Sequence, residues 1–410
     1  MSLGDPSART PRGLDGRWVL GAVTLVVFAL LFAAPGRVSL LPIWRAYGVD
    51  HRAPRFLDLR VVTTAPDAVR AGYDPIAENP RDPLRRPMNH PRIWTLLRHL
   101  GLSERHTVPL GFGLAAAFLA LVLALCGRLT IGEGAFYSVL VCSPATLMAV
   151  ERGNVDVLLF CLLAVATGIV RNPRTHLGAY LLVFICALLK LFPVFAFALV
   201  LRERLRTGFA VLAGAAAAFG AYLLLTRHDV AAILSNSIQG IYLSYGRKVL
   251  LERLRDYGIP LEPSFYSAVV LVIAAAVAVL LALRTRGPAF TEGAMEKMLV
   301  GLGIYCGSFA LLSNFNYRLI FLLFAVPQLL AWRRMLEGPS RRFASAGLAT
   351  IAIALCFSGQ LWSALFLLKE CANWLIFLGA VWLLSHAAAT WLRGQPASNS
   401  RNATGSFTGA

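Results

Sequence analysis

Charge is what this sequence has least of. Asp, Glu, Lys and Arg make up only 15% of its 410 residues, where a soluble domain carries about 25%. Acidic residues are the scarcer kind, 21 against 39 basic, and lysine is nearly missing, with 4 Lys beside 35 Arg. Motifs that carry familiar chemistry are lacking as well. No two of the ten Asp residues stand at i, i+2, so the Asp-x-Asp pair with which nucleotide-sugar transferases hold a metal is missing. There is no G-x-x-x-x-G-K-[ST] phosphate loop and no H-E-x-x-H zinc site. The 7 cysteines, at 126, 142, 161, 186, 306, 356 and 371, are scattered through apolar runs without a C-x-x-C pair. They read as packed or lipid-facing thiols and not as a disulfide or metal framework. Neither a cofactor nor a metal is expected.

Uncharged runs fill the space that charge leaves. Residues 18–36, 106–127, 134–150, 207–226, 263–283, 298–317, 343–368 and 371–392 each approach or exceed the roughly 17 to 25 residues of a spanning helix. They predict an all-α membrane protein, a polytopic helical bundle of eleven or twelve membrane helices. Residues 1–17 would be a cytoplasmic N-terminus, 18–392 one transmembrane domain whose first run is an uncleaved span, and 393–410 a disordered cytoplasmic tail. The tail's Asn402-Ala403-Thr404 sequon would then lie inside the cell. A net charge of +18 invites a nucleic-acid reading. Its distribution argues against one, because much of the Arg falls in short connections, where it sets topology and meets anionic lipid headgroups.

With the N-terminus inside, residues 35–105 form a long first extracytoplasmic loop. Residues 134–170 would make a helix of about 55 Å, nearly twice a ~30 Å hydrocarbon core, so they must break, and Gly153-Asn154 is the expected place. The turn "ERGN" would sit just below the outer surface and line a recess. Lys190 and Pro193 interrupt 175–201; a re-entrant hairpin turning at Lys190 keeps "RNPRT" and "RERLR" on the same, basic side. Segments 227–262, 313–318 and the pair Lys369-Glu370 are then outer turns, and the polar residues that interrupt apolar runs all fall on that one face. Charges within a bilayer cost about 3 kcal/mol or more each, so their gathering calls for a function.

The first loop contains "RFLDLRVVTTAPDAVRAGYDPIAENPRDPLRRPMNHPRIWTLL", residues 55–97. An acidic residue after the first span (Asp58), an x-Asp-Pro turn (Tyr73-Asp74-Pro75) and a Pro-aromatic entry to the second span (Pro91 to Trp94) resemble the GT-C class of membrane glycosyltransferases. More narrowly they resemble glycosyltransferase family 87, the polyprenol-phosphate-mannose-dependent mannosyltransferases. Leu189-Lys190-Leu191-Phe192-Pro193 is similar to that family's Leu-Lys-x-aromatic-Pro element, and Gly153-Asn154 to its Gly-polar turn. Leu59 stands where an aromatic is usual, and His90-Pro91-Arg92 where Tyr-Pro-Pro is.

The resemblance implies a multi-pass cell-membrane enzyme, active on the extracytoplasmic side. It would move a hexose, mannose in that family, from a polyprenyl-phosphate donor to a glycan or glycolipid acceptor. Such transfer needs a base for the acceptor hydroxyl and cations for the departing phosphate. Asp58 is carried over as the base. Arg152, Lys190 and Arg318 are the candidate phosphate ligands. Asp74, His90, Glu151, Asn154, Asn314, Asn316 and Tyr317 are the candidate sugar or acceptor contacts. A transporter or lipid flippase built on the broken helices, or a lipid-binding relative without turnover, is the alternative.

Overall fold

The computed structural model describes residues 14–36, 38–237, 243–260, 262–285, 287–311, 313–358 and 363–394. The expectations for the first thirteen residues, for the tail beyond 394 and for the Asn402 sequon lie outside them. Helix starts follow capping residues. Asp15 accepts from Arg17 N ahead of helix Gly16–Ala33, Thr130 and Glu133 form a capping box ahead of Ile131–Val141, and Asn154 caps Val155–Ile169. The described residues are 76% helical, as in an all-α protein; strand among them is one antiparallel pair, β1 (Ser244–Tyr245) and β2 (Asn314–Phe315).

Among the described residues, five helical stretches are long and apolar enough to cross a membrane: Gly16–Gly36, Glu104–Cys126, Leu205–Leu225, Pro263–Arg284 and Leu365–Leu392. The bent pair Ile131–Val141 and Pro144–Glu151 makes a sixth if it is one span. In Leu205–Leu225 only 6% of the most apolar window is buried inside the protein, and Leu224 and Leu225 are 74% and 86% exposed. Leaving such a side chain in water instead of an apolar medium costs about 1.5–3 kcal/mol, so these outward faces belong in hydrocarbon. Helix Met295–Leu311 forms the centre, buried on nearly every side.

Contacts near the helix ends and connections fall into two sets. At one end, here the loop end, Arg92 bridges Asp74 and Asp229, Asn236 Nδ2 donates to Ile76 O at 2.8 Å, β1 pairs with β2, and Lys369 Nζ donates to Ser244 O at 2.7 Å. At the opposite end Gly16 N donates to Leu129 O, Arg334 pairs with Glu133, Arg171 with Glu292, and Trp391 Nε1 donates to Glu203 O. The hairpin expected at Lys190 is present. Helix His176–Leu189 packs against the 3-10 helix Phe192–Arg202, Tyr180 reaches Glu203 at 3.0 Å, and Arg202 Nη1 returns to Val170 O at 2.6 Å.

Two breaks differ from expectation. Residues 134–170 bend twice, at Arg152-Gly153-Asn154 and also by 57° between Val141 and Pro144. Ser143 caps the new start and Pro144 occupies its first turn, where a missing N–H removes no helix bond. Lys369-Glu370 is not a turn. Both lie inside helix Ser363–Leu392, fully buried and paired at 3.0 Å, and the helix before them, Gly338–Cys356, has already ended at Cys356. Mutual neutralisation lets the pair stay in the helix where unpaired charges would have ended it.

Candidate functional site

The turn at 152–154 and the start of helix Leu57–Thr63 are built against each other. The first free amides of that helix, Asp58 N and Leu59 N, donate to Arg152 O at 3.1 and 3.3 Å. Gly153 has φ +58, and a Cβ there would stand 3.1 Å from Phe56 Cβ and Leu59 Cβ. Glycine is therefore favoured twice, for the left-handed backbone and for the close approach. Asn154 then does two jobs. Its Oδ1 accepts from Asp156 N at 3.0 Å as the cap of Val155–Ile169, and its Nδ2 donates to Asp58 Oδ2 at 2.8 Å. Asp58 is thus oriented by a neutral amide. Its other oxygen faces Arg86 Nη1 at 3.5 Å and Arg152 Nη1 at 3.9 Å.

Two residues after the cap, Asp156 points inward and is wholly buried. It holds Lys190 Nζ at 2.7 Å and Arg318 Nε at 3.4 Å. One carboxylate therefore carries two cations, which leaves a positive charge in a poorly solvated place. Arg318 lies 4.0 Å from the centroid of the Phe192 ring and also bonds Asn314 Oδ1. Lys190 is about 6 Å from the rings of Phe192 and Tyr317, and Tyr317 is close to Asp58, Asp156 and the Asn154 amide.

The loop closes over this group. Trp94 Nε1 donates to Leu189 O at 2.9 Å, so the Pro-Arg-Ile-Trp element is tied to the Lys190 break. His90, 6% exposed, comes within the field of Lys190, Asp156, Arg318 and Arg86. Neither of its ring nitrogens has a hydrogen-bond partner. Burial first, and then the cations led by Lys190, push its pKa down to about 3, so the imidazole is neutral at neutral pH.

Asp58, His90, Arg152, Asn154, Lys190, Asn314, Tyr317 and Arg318 thus converge, with Glu151 at their margin. Glu151, 7% exposed, meets His51 Nδ1 at 3.3 Å and Arg152 Nε at 3.8 Å. Two candidates are engaged elsewhere. Asp74 is half exposed and held by Arg92 through two 3.0 Å bonds, which set its pKa below the usual carboxylate range. Asn316 is buried with its amide on Ser358 O at 2.5 Å, so it fixes a turn. Three participants were not among the expected contacts: Asp156, Arg86, which clamps Asp82 at 2.9 Å and Leu57 O at 2.6 Å, and His51. Asp156 stands out in the sequence as a charge in an apolar run, whereas Arg86 and His51 lie in a loop rich in Arg and Pro, where no periodicity distinguishes them. Among the described residues no three His, Cys, Asp or Glu are grouped so as to hold a metal ion.

Comparison with known proteins finds no matching family, no matching curated protein and no matching solved structure.

Proposed function

We propose that this chain is an integral membrane glycosyltransferase that moves a hexose, mannose by its resemblance to glycosyltransferase family 87, from a polyprenyl phosphate to a glycan or glycolipid acceptor. The observation that carries the reading is the pairing of Lys190 and Arg318 on the single carboxylate of Asp156, beside the buried, unpartnered His90. An uncompensated buried charge is costly, and a phosphate in that position removes the cost. At an effective dielectric of about 20, a phosphate oxygen 4 Å from one of the cations gains about 4 kcal/mol.

In this reading Asp58 Oδ takes the proton of the acceptor hydroxyl as that oxygen attacks the anomeric carbon. The bond from that carbon to the phosphate oxygen breaks, and polyprenyl phosphate leaves with the electron pair. Lys190, Arg318 and Arg152 hold the phosphate, and His90 donates a neutral hydrogen bond to it. Asn154 keeps Asp58 oriented, while Glu151, Asn314 and Tyr317 border the sugar. Displacement in one step inverts the anomeric centre. The protein is assigned to the cell membrane with the loop end outside. It would have eleven or twelve membrane helices once the short apolar helices and the re-entrant hairpin are counted with the long spans.

Binding of a polyprenyl-phosphate hexose to purified protein tests the phosphate site. Arg318→Gln should weaken binding at least tenfold relative to the unsubstituted protein, because one charge-assisted bond is lost. Unchanged affinity in a variant that retains its melting temperature would remove Arg318 and the anion site from the account.

A further inference from the structure

At the end opposite Asp58, helices Thr107–Cys126 and Val155–Ile169 run side by side to their last turns, and the chain entering helix Met295–Leu311 passes beside them. A cavity of ≈ 340 Å³ lies between the three, within the size range of small-molecule clefts, about 300–1,000 Å³. Its walls are small and apolar: Leu121 and Ala124 on one helix, Ala164, Val165 and Gly168 on the other. Ala124, Val165 and Gly168 are exposed, so the cavity opens on the flank that meets hydrocarbon.

Two cations, Arg171 and Lys297, stand at its margin. Lys297 Nζ is fixed by Leu125 O at 2.7 Å, which takes one of its three N–H donors. Arg171 is laid over Gly293, where a Cβ would come 3.0 Å from Arg171 Nη1 and push it away. It pairs with Glu292 at 3.1 Å through side chains 48% and 65% exposed, a contact of the weak, solvent-screened kind. Both cations therefore keep donors for a further anion, directly above an apolar slot.

We propose that this cavity binds an anionic phospholipid, its headgroup phosphate between Arg171 and Lys297 and one acyl chain along the slot between helices Thr107–Cys126 and Val155–Ile169. A free phosphate would meet the cations and leave the apolar walls empty. A zwitterionic lipid would fill the walls and bring a cation against two others. An anionic lipid satisfies both, and basic pockets between membrane helices recognise such headgroups. The proposal requires the chain to lie in a membrane and is independent of glycosyl transfer.

Native mass spectrometry of the full-length protein, supplied with equal amounts of phosphatidylglycerol and phosphatidylcholine, tests it. Phosphatidylglycerol should be retained preferentially. Arg171→Gln alone should lower its retention about fivefold and Arg171→Gln with Lys297→Gln about 30-fold, as expected for one and two basic side chains at an anionic headgroup. The charge-keeping pair Arg171→Lys with Lys297→Arg should retain most of the binding. Equal retention of the two lipids, unchanged retention in folded Arg171→Gln, or displacement of the lipid by millimolar inorganic phosphate would overturn it.

Discussion

At the scale of single residues, His90 shows how an environment turns a loop side chain into part of a site. Nothing in "MNHPRIW" says that the imidazole will be buried beside Lys190, Arg318 and Arg86. What the sequence does say is that the long apolar segment breaks at Gly153-Asn154; the structure adds the left-handed glycine and the cap whose amide reaches a carboxylate. That turn was legible because backbone and capping chemistry are local; the partners of Asp58 were not, because they arrive from loops whose approach is set by the whole fold. His90 also fixes a pH dependence. Its folded pKa, about 3, lies below the unfolded value near 6.5, so the unfolded chain binds the extra proton between the two. Stability from this group is therefore full above pH 6.5 and falls as pH drops towards 3, by about 2 kcal/mol at pH 5. Melting curves at pH 7.5 and 5 should show a larger loss for the native protein than for His90→Gln. Equal losses would contradict the burial of a neutral imidazole.

At the scale of elements, the sequence announces breaks better than it announces their causes. A hairpin at Lys190 was expected from the Lys190 and Pro193 interruption and the charge asymmetry around it; the contacts that close it, Tyr180–Glu203 and Arg202–Val170, were not. The bend at Cys142–Ser143 went unanticipated although Ser143-Pro144 is a helix-start signal; an uncharged run hid it. Lys369-Glu370 misled in the opposite sense, because a charge pair in an apolar segment resembles a turn until its mutual neutralisation is visible. The pair gives a stability prediction for helix Ser363–Leu392. Lys369→Met leaves the carboxylate of Glu370 buried and unpaired, which costs about 3–5 kcal/mol. Replacing both, Lys369→Met with Glu370→Leu, should recover most of that in chemical denaturation. A single variant within 1 kcal/mol of the parent protein would mean that the pair is hydrated and not buried.

At the scale of the whole molecule, the apolar runs predict the class of the fold and the polar interruptions predict which segments meet. Residues 58, 90, 152, 154, 190 and 318 come from five separate stretches of chain, yet they occupy one neighbourhood at the loop end. Residues that merely punctuated loops would be expected to scatter, as Asp74 and Asn316 do. The central claim is that this neighbourhood transfers a sugar with Asp58 as the base. It is tested most directly by giving purified protein a radiolabelled polyprenyl-phosphate hexose and a membrane glycolipid extract, then measuring acceptor-dependent transfer for the native chain and for Asp58→Asn. An amide cannot take the acceptor proton, so the account predicts a fall of at least about 10²-fold with the melting temperature preserved. Transfer by Asp58→Asn at the native rate, or no transfer by the native protein to any acceptor, would contradict it.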